Sequence, residues 1–105
     1  MTAKPGEVWL ADLGLAAKTR PVIILSREDP DAPRVLVTYL PLTTQDRGSP
    51  YEIDLGHLRF LRESSVANVQ GIGSMPAIRL QRKIGSVPAE TLAKIKQAIR
   101  FAMEL

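Results

Sequence analysis

The chain has 105 residues, enough for one modest hydrophobic core and too few for two. Its 14 Lys+Arg against 11 Asp+Glu leave a formal charge of +3, compatible with a polyanionic partner but too mild to demonstrate one. With no cysteine, disulfide frameworks, thiolate zinc sites and cysteine nucleophiles are excluded; with no apolar leader and no window of ~18 apolar residues, the expectation is a single cytoplasmic domain spanning 1–105 with no membrane contact.

Pro5-Gly6 is a turn signal, and "EVWLADL" after it alternates as a strand, with Val8 and Leu10 on one face and Trp9, Ala11 and Leu13 on the other. "GLAAKT" is a short connector. "RPVIILS" then runs through consecutive β-formers, the pattern of a central strand covered on both faces. "REDPDAP" is a surface loop of prolines and acids, and "RVLVTYLPL" resumes strand character until Pro41, which marks an edge or a bend. "TTQDRGSP" is turn-like. "YEIDL" sets Tyr51, Ile53 and Leu55 against Glu52 and Asp54, as in a half-solvated antiparallel strand, so the first half reads as a meander.

"GHLRFLRESS" is expected to be loop. In "VANVQGIGSM" two glycines break a strand, which predicts a bulge or a close approach of another backbone or a ligand. "IRLQRKIGSV" suits a short helical turn followed by a brief strand. From Pro88, "PAETLAKIKQAIRFAMEL" places Leu92, Ile95, Ile99 and Ala102 or Met103 at helical spacing, with Pro88 and Glu90 suited to the first turn. Several short strands and one closing helix predict a mainly β fold: a small, strongly curved antiparallel sheet or half-open barrel plugged by that helix. Each large apolar side chain the helix buries is worth ~2–3 kcal/mol.

Few chemistries fit the side chains. The one histidine, His57, has no clustered carboxylates at ligand spacing, so no metal site and no cofactor is expected. There is no G-x-S-x-G elbow, and "GIG" at Gly71 to Gly73 lacks the following helix of a phosphate loop. What remains is a set of arginines and hydroxyls on strand ends: Arg20, Ser26, Arg27, Thr38, Thr43, Thr44, Arg47, Ser74 and Arg79. In a curved meander the start of the second strand and the end of the third share a rim, so Arg20 and Thr43 can converge. An arginine fork with a threonine hydroxyl is a natural receptor for a tetrahedral phosphate. By spacing alone, solvated caps on strand ends are the commoner explanation.

The ordered segments "GEVWLADL", "RPVIILS", "PLTTQDRGSPYEI" and "SSVANVQGIGSMPAIRLQRKIG", followed by a terminal helix, resemble the MazF/PemK family of toxin endoribonucleases over roughly residues 5–105. The resemblance implies an SH3-like small β-barrel with a C-terminal helix, shared with the CcdB toxins. It implies a homodimer that cleaves single-stranded RNA at short motifs without a metal, is restrained by a cognate antitoxin, and meets DNA only through the antitoxin complex. It also implies that Arg20, in "RPV", and Thr43, in "PLTT", are the catalytic pair, with the RNA 2′-hydroxyl attacking the adjacent phosphorus. Arg27, Thr44, Gln45, Arg47 and Gln70 are then the candidate RNA contacts.

Two departures stand out. Relatives carry a longer first connector with a glutamate that assists catalysis, whereas no acid lies between Asp12 and Glu28 here. Relatives often show Gln-Ile-Arg-Thr where this chain has "GIGSM", with Gly73 at the arginine position and Ser74 at the hydroxyl position. The alternative these departures support is a weakened or inactive barrel relative that acts by binding protein, as a gyrase inhibitor like CcdB or as an antitoxin-binding regulatory module.

Overall fold

The computed structural model describes residues 2–14 and 19–105. Most of the first connector, residues 15–18, therefore lies outside the described residues, and with it the comparison of that connector to a catalytic lid.

Among the described residues seven strands and one α-helix follow one another: β1 (Glu7–Asp12), β2 (Thr19–Ile24), β3 (Leu36–Thr43), β4 (Glu52–Asp54), β5 (Val66–Asn68), β6 (Gly73–Pro76), β7 (Leu80–Ser86) and α1 (Ala89–Met103), with 3₁₀ turns at Val69–Gly71 and Ala77–Arg79. All recorded pairings are antiparallel. β1, β2 and β3 form the expected meander, but β4 does not continue it: the ladder runs β4-β5-β3-β2-β1-β7, so β4 reaches the sheet only through β5. A polar eight-residue stretch with its own hydrogen-bonded turns, rather than a tight hairpin, separates β3 from β4 and lets β5 take the place beside β3.

The curl closes covalently. β6 pairs with β3, β7 pairs with β1, and the 3₁₀ turn Ala77–Arg79 joins them, so the ring is completed by a turn instead of a ladder of hydrogen bonds. Trp9, Ala11, Val22, Ile24, Val37, Met75 and Leu80 fill its interior. The alternate residues Val8, Ile23 and Leu40 point to the other face and pack with Ala67, Val69, Ile95 and Ala98. This explains the unbroken apolar run of β2, which is covered on both faces. It also moves the helix: α1 covers the outer face of the sheet instead of plugging the ring. Leu92, Ile95, Ile99 and Ala102 turn toward that core, while Met103 is exposed.

Pro41 lies inside β3, not at its end. Pairing with β2 stops at Val22 opposite Pro41; on the other edge of β3, β6 pairs as far as Tyr39 and β5 takes over at Leu42, so that edge changes partner around Pro41, which has no N–H to donate. Along the β5–β6 edge the register slips by three residues, since Leu42 faces Ala67 but Tyr39 faces Gly73; the turn Val69–Gly71 absorbs the excess. Gly71 is required there, because a Cβ would lie 2.5 Å from the Pro41 ring, and one on Gly73 would lie 3.1 Å from the Tyr39 hydroxyl. Both glycines thus serve close approach, as the broken strand predicted.

At the far end of β1, Glu7 ties several elements together. Its carboxylate accepts from the Lys4 backbone at 2.9 Å and the Trp9 indole at 3.0 Å, and pairs with Lys83 at 3.0 Å. Burial pushes the Glu7 carboxyl up, but those hydrogen bonds and the Lys83 charge outweigh it and hold it below its usual 4.5. A depressed carboxylate stabilises the fold above its unfolded value and loses that contribution as pH falls through the folded one. Acid unfolding monitored by Trp9 fluorescence is therefore expected to begin below pH 4.5, and Glu7→Gln should flatten the slope of stability against pH in that window.

Candidate active site

The segment after β3 is organised by short polar side chains. The Thr43 hydroxyl accepts the Gln45 N–H at 3.2 Å, Asp46 accepts from Gly48 at 2.8 Å, and the Ser49 hydroxyl accepts from Tyr51 at 3.2 Å. Such local side-chain acceptors replace a ladder and fix an irregular backbone. Opposite this loop, Asn68 caps the turn Val69–Gly71 by accepting the Gln70 N–H at 3.1 Å. Between the two lies an open groove of about 280 Å³ lined by Thr43, Gln45, Arg47, Ser49, Tyr51, Glu52, Asn68 and Gln70.

The lone acid of the lining, Glu52, is engaged by its own loop. It accepts from the Ser49 hydroxyl at 2.9 Å, the Ser49 N–H at 3.2 Å and the Arg47 N–H at 3.2 Å. Desolvation raises its pKa, but the bonds from Ser49, the Arg47 N–H and the Arg47 charge prevail and hold the carboxyl below its usual range. Tyr51 is backed by Phe101 of α1, with ring centroids 5.5 Å apart. The helix thereby braces one wall of the groove.

Thr43, Gln45, Arg47 and Gln70, predicted from sequence, thus meet in one place. Thr44 is exposed just past β3 and does not line the groove. Arg20 is exposed on β2, opposite Ala11 of β1. β2–β3 pairing ends with Val22 opposite Pro41, two residues short of both Arg20 and Thr43, so these two lie toward the same end of neighbouring strands, with Arg20 outside the groove lining. Arg27 lies beyond the opposite end of β2, near Ser26, whose hydroxyl accepts the Thr38 N–H at 3.0 Å, and near the Thr38–Ser74 hydroxyl pair at 3.3 Å. Those hydroxyls are structural ties. Arg79, on the ring-closing turn, brings its guanidinium against Gly14 at the start of the connector, on the rim that carries Arg20. Among the described residues Arg20, Arg47 and Arg79 form no ion pair, so their charge is available to a ligand.

Ser49, Tyr51, Glu52 and Asn68 are lining residues that sequence reasoning did not select. The signal present was the Ser49–Glu52 spacing, which lets a carboxylate reach back to a hydroxyl and N–H three residues earlier. Among the described residues no three His, Cys, Asp or Glu side chains converge as a metal site would require.

A curved β ring with a helix on its outer face and a polar groove on its rim defines a small barrel-like β protein. The chain belongs to the PemK-like, MazF-like toxins of type II toxin–antitoxin systems, whose shared sequence pattern matches residues 4–103. It is 33% identical over 88 residues to "Endoribonuclease MazF3" of Mycobacterium tuberculosis, covering 84% of this chain and 85% of that protein. The fold superimposes with a TM-score of 0.84 on an endoribonuclease in complex with its cognate antitoxin from a mycobacterial species, at 26% identity, covering 98% of this chain and 96% of that one. It superimposes with a TM-score of 0.82 on the Mycobacterium tuberculosis toxin MazF-mt6, at 31% identity, covering 94% and 97% of the two chains. The architecture expected from the resemblance, mainly antiparallel β with a C-terminal helix, is the one these structures share.

Proposed function

We propose that this toxin is an endoribonuclease that cleaves single-stranded RNA at short sequence motifs, with Arg20 and Thr43 as its catalytic pair. The observation that carries the reading is the Thr43 hydroxyl in a polar groove near the end of β3, with Arg20 exposed toward the same end of the neighbouring strand and in no ion pair among the described residues. In the reaction, the 2′-oxygen forms a bond to the adjacent phosphorus and loses its proton. The bond to the 5′-oxygen of the next nucleotide breaks, and that oxygen leaves as a hydroxyl. The products are a 2′,3′-cyclic phosphate and a free 5′-hydroxyl, with no water consumed. Arg20 stabilises the charge that grows on the phosphoryl oxygens. The Thr43 oxygen already accepts from Gln45, so its O–H is free to donate to one of them.

Gln45, Arg47 and Gln70 hold the RNA along the groove, while Thr44 and Arg27 contact it outside. Phosphate contacts supply affinity and base edges supply sequence choice. The chain acts as one domain, 1–105, in a cytoplasmic homodimer silenced by a cognate antitoxin, as the mycobacterial structure with its antitoxin suggests. No cofactor takes part. Among the described residues no helix is long and apolar enough to cross a membrane.

Incubation of purified protein with a long single-stranded RNA in EDTA is expected to yield discrete fragments with 5′-hydroxyl and 2′,3′-cyclic phosphate ends. Intact RNA at high protein concentration would reject the ribonuclease reading and favour a toxin that acts on a protein target.

A further inference from the structure

We propose that Glu52 is a positioning residue of the groove: its carboxylate is occupied by the loop's own donors, and it thereby holds the Arg47 guanidinium free for an RNA phosphate. The proposal rests on the reading of the groove as an RNA site.

A carboxylate in such a groove is at first sight a liability, since it repels phosphate and competes for the nearby arginine. The hydrogen bonds resolve the conflict. One oxygen of Glu52, Oε1, accepts the Arg47 N–H, the Ser49 N–H and the Ser49 hydroxyl, at 3.2, 3.2 and 2.9 Å. Oε2 takes a second, bifurcated contact from the Arg47 N–H at 3.3 Å. Every one of these donors belongs to residues 47–49. The Arg47 guanidinium is not among them: among the described residues it forms no ion pair, and its Nη2 donates to Gln45 Oε1 at 3.4 Å. Glu52 therefore grips the main chain of Arg47 and not its guanidinium, whose charge acts on the carboxylate only from a distance.

The rest of the lining follows the same logic. Folding occupies several acceptors of the groove and leaves most of its side-chain donors unbonded. Gln45 Oε1 is taken by Arg47, Asn68 Oδ1 by the Gln70 N–H, and the Thr43 oxygen by the Gln45 N–H. The partners are N–H groups, which cannot accept, so the oxygen of each amide is identified by its bond. What remains for a ligand is the Thr43 O–H, the NH₂ groups of Gln45, Asn68 and Gln70, the Tyr51 hydroxyl and the remaining guanidinium N–H donors, with the Gln70 oxygen as an open acceptor among them. That set suits phosphoryl and carbonyl oxygens. With Glu52 unable to hold residues 47–49, the guanidinium and the Gln45 amide would lose their common anchor, though nothing in the core would change.

The test is a double-mutant cycle on binding of an uncleavable 2′-O-methyl RNA, with Glu52→Gln, Arg47→Ala and the pair. Glu52→Gln is expected to weaken binding about tenfold and to lower the slope of log K against log salt by about 0.7, the signature of one lost phosphate contact on a single strand. The double variant should bind no worse than Arg47→Ala, because the two residues act as one unit. Additive losses, or an unchanged salt slope in Glu52→Gln, would overturn the proposal. In cleavage, Glu52→Gln should raise KM with kcat unchanged; a loss confined to kcat would make Glu52 a general base and also overturn it. Ser49→Ala, which removes one of the donors, should move binding in the same direction by less. If the wild-type protein binds this RNA but cleaves none, the ribonuclease reading fails and the cycle still decides the role of Glu52. If it binds no RNA, amide hydrogen exchange decides whether the carboxylate holds the loop: protection of the Arg47 and Ser49 N–H groups that Glu52→Gln abolishes supports that, and protection that persists overturns it.

Discussion

Arg20→Ala is expected to reduce RNA cleavage by about 10²–10³-fold while leaving the melting temperature unchanged. The magnitude is that of removing one preorganised donor from a site where transition-state charge develops. The unchanged stability follows from position: the Arg20 side chain is exposed, and β2 is held by the buried residues Val22, Ile23 and Ile24 beyond it. Arg20 is expected to contribute charge and the geometry of its fork. Steady-state cleavage of a fluorogenic RNA, paired with thermal unfolding of both proteins, measures the two quantities. Equal cleavage by Arg20→Ala and wild type would remove Arg20 from the site and with it the catalytic pair. Arg20→Lys should recover only part of the activity, because an ammonium lacks the planar fork that meets two phosphoryl oxygens at once.

Ile95→Ala is expected to cost about 2–5 kcal/mol, the range for truncating a large aliphatic side chain in a packed core. Ile95 is 0% exposed and sits where α1 meets Val8, Ile23, Leu40 and Val69 on the outer face of the sheet. Such a loss is a large share of the ~5–15 kcal/mol that holds a domain of this size together. Urea unfolding should show a lower midpoint at similar slope; a shift in midpoint worth under about 1 kcal/mol would mean that α1 is a minor closure of the core. Ile99→Ala, at a half-buried position on the same stripe, should cost less. Truncation of Met103 on the exposed side should have little effect, since it is 45% exposed.

Much of the scaffold was legible because it follows from short-range periodicity. The helical spacing of Leu92, Ile95 and Ile99 announced α1, and the β-formers after Pro21 announced a strand with two covered faces. The paired glycines after Gln70 announced a break with close packing, which Gly71 and Pro41 supply. The ambiguity at Pro41 was of another kind. Proline signals that a ladder cannot continue unchanged, but whether the strand ends or changes partner depends on what lies beside it. Here β5 takes over from β6 on one edge, and the strand runs on to Thr43.

The groove was half legible. Gln45 and Arg47 stood out as polar residues just after the P-x-T-T motif and Gln70 as a polar rim residue, but Asn68 looked like an ordinary strand residue and Glu52 like the solvated face of one. They line the same groove as Thr43 because β4 pairs with β5 and β5 with β3, a set of contacts no local pattern encodes. By itself the sequence determined the fold class, the chief elements and the helix stripe, and through its ordered motifs it suggested the arginine–threonine pair on which the functional proposal turns. Only the tertiary structure decided that the ring closes through a 3₁₀ turn, that α1 lies outside it, and that Glu52 joins the groove. Those outcomes depend on strand order and register, which are set by the packing of residues far apart in the chain.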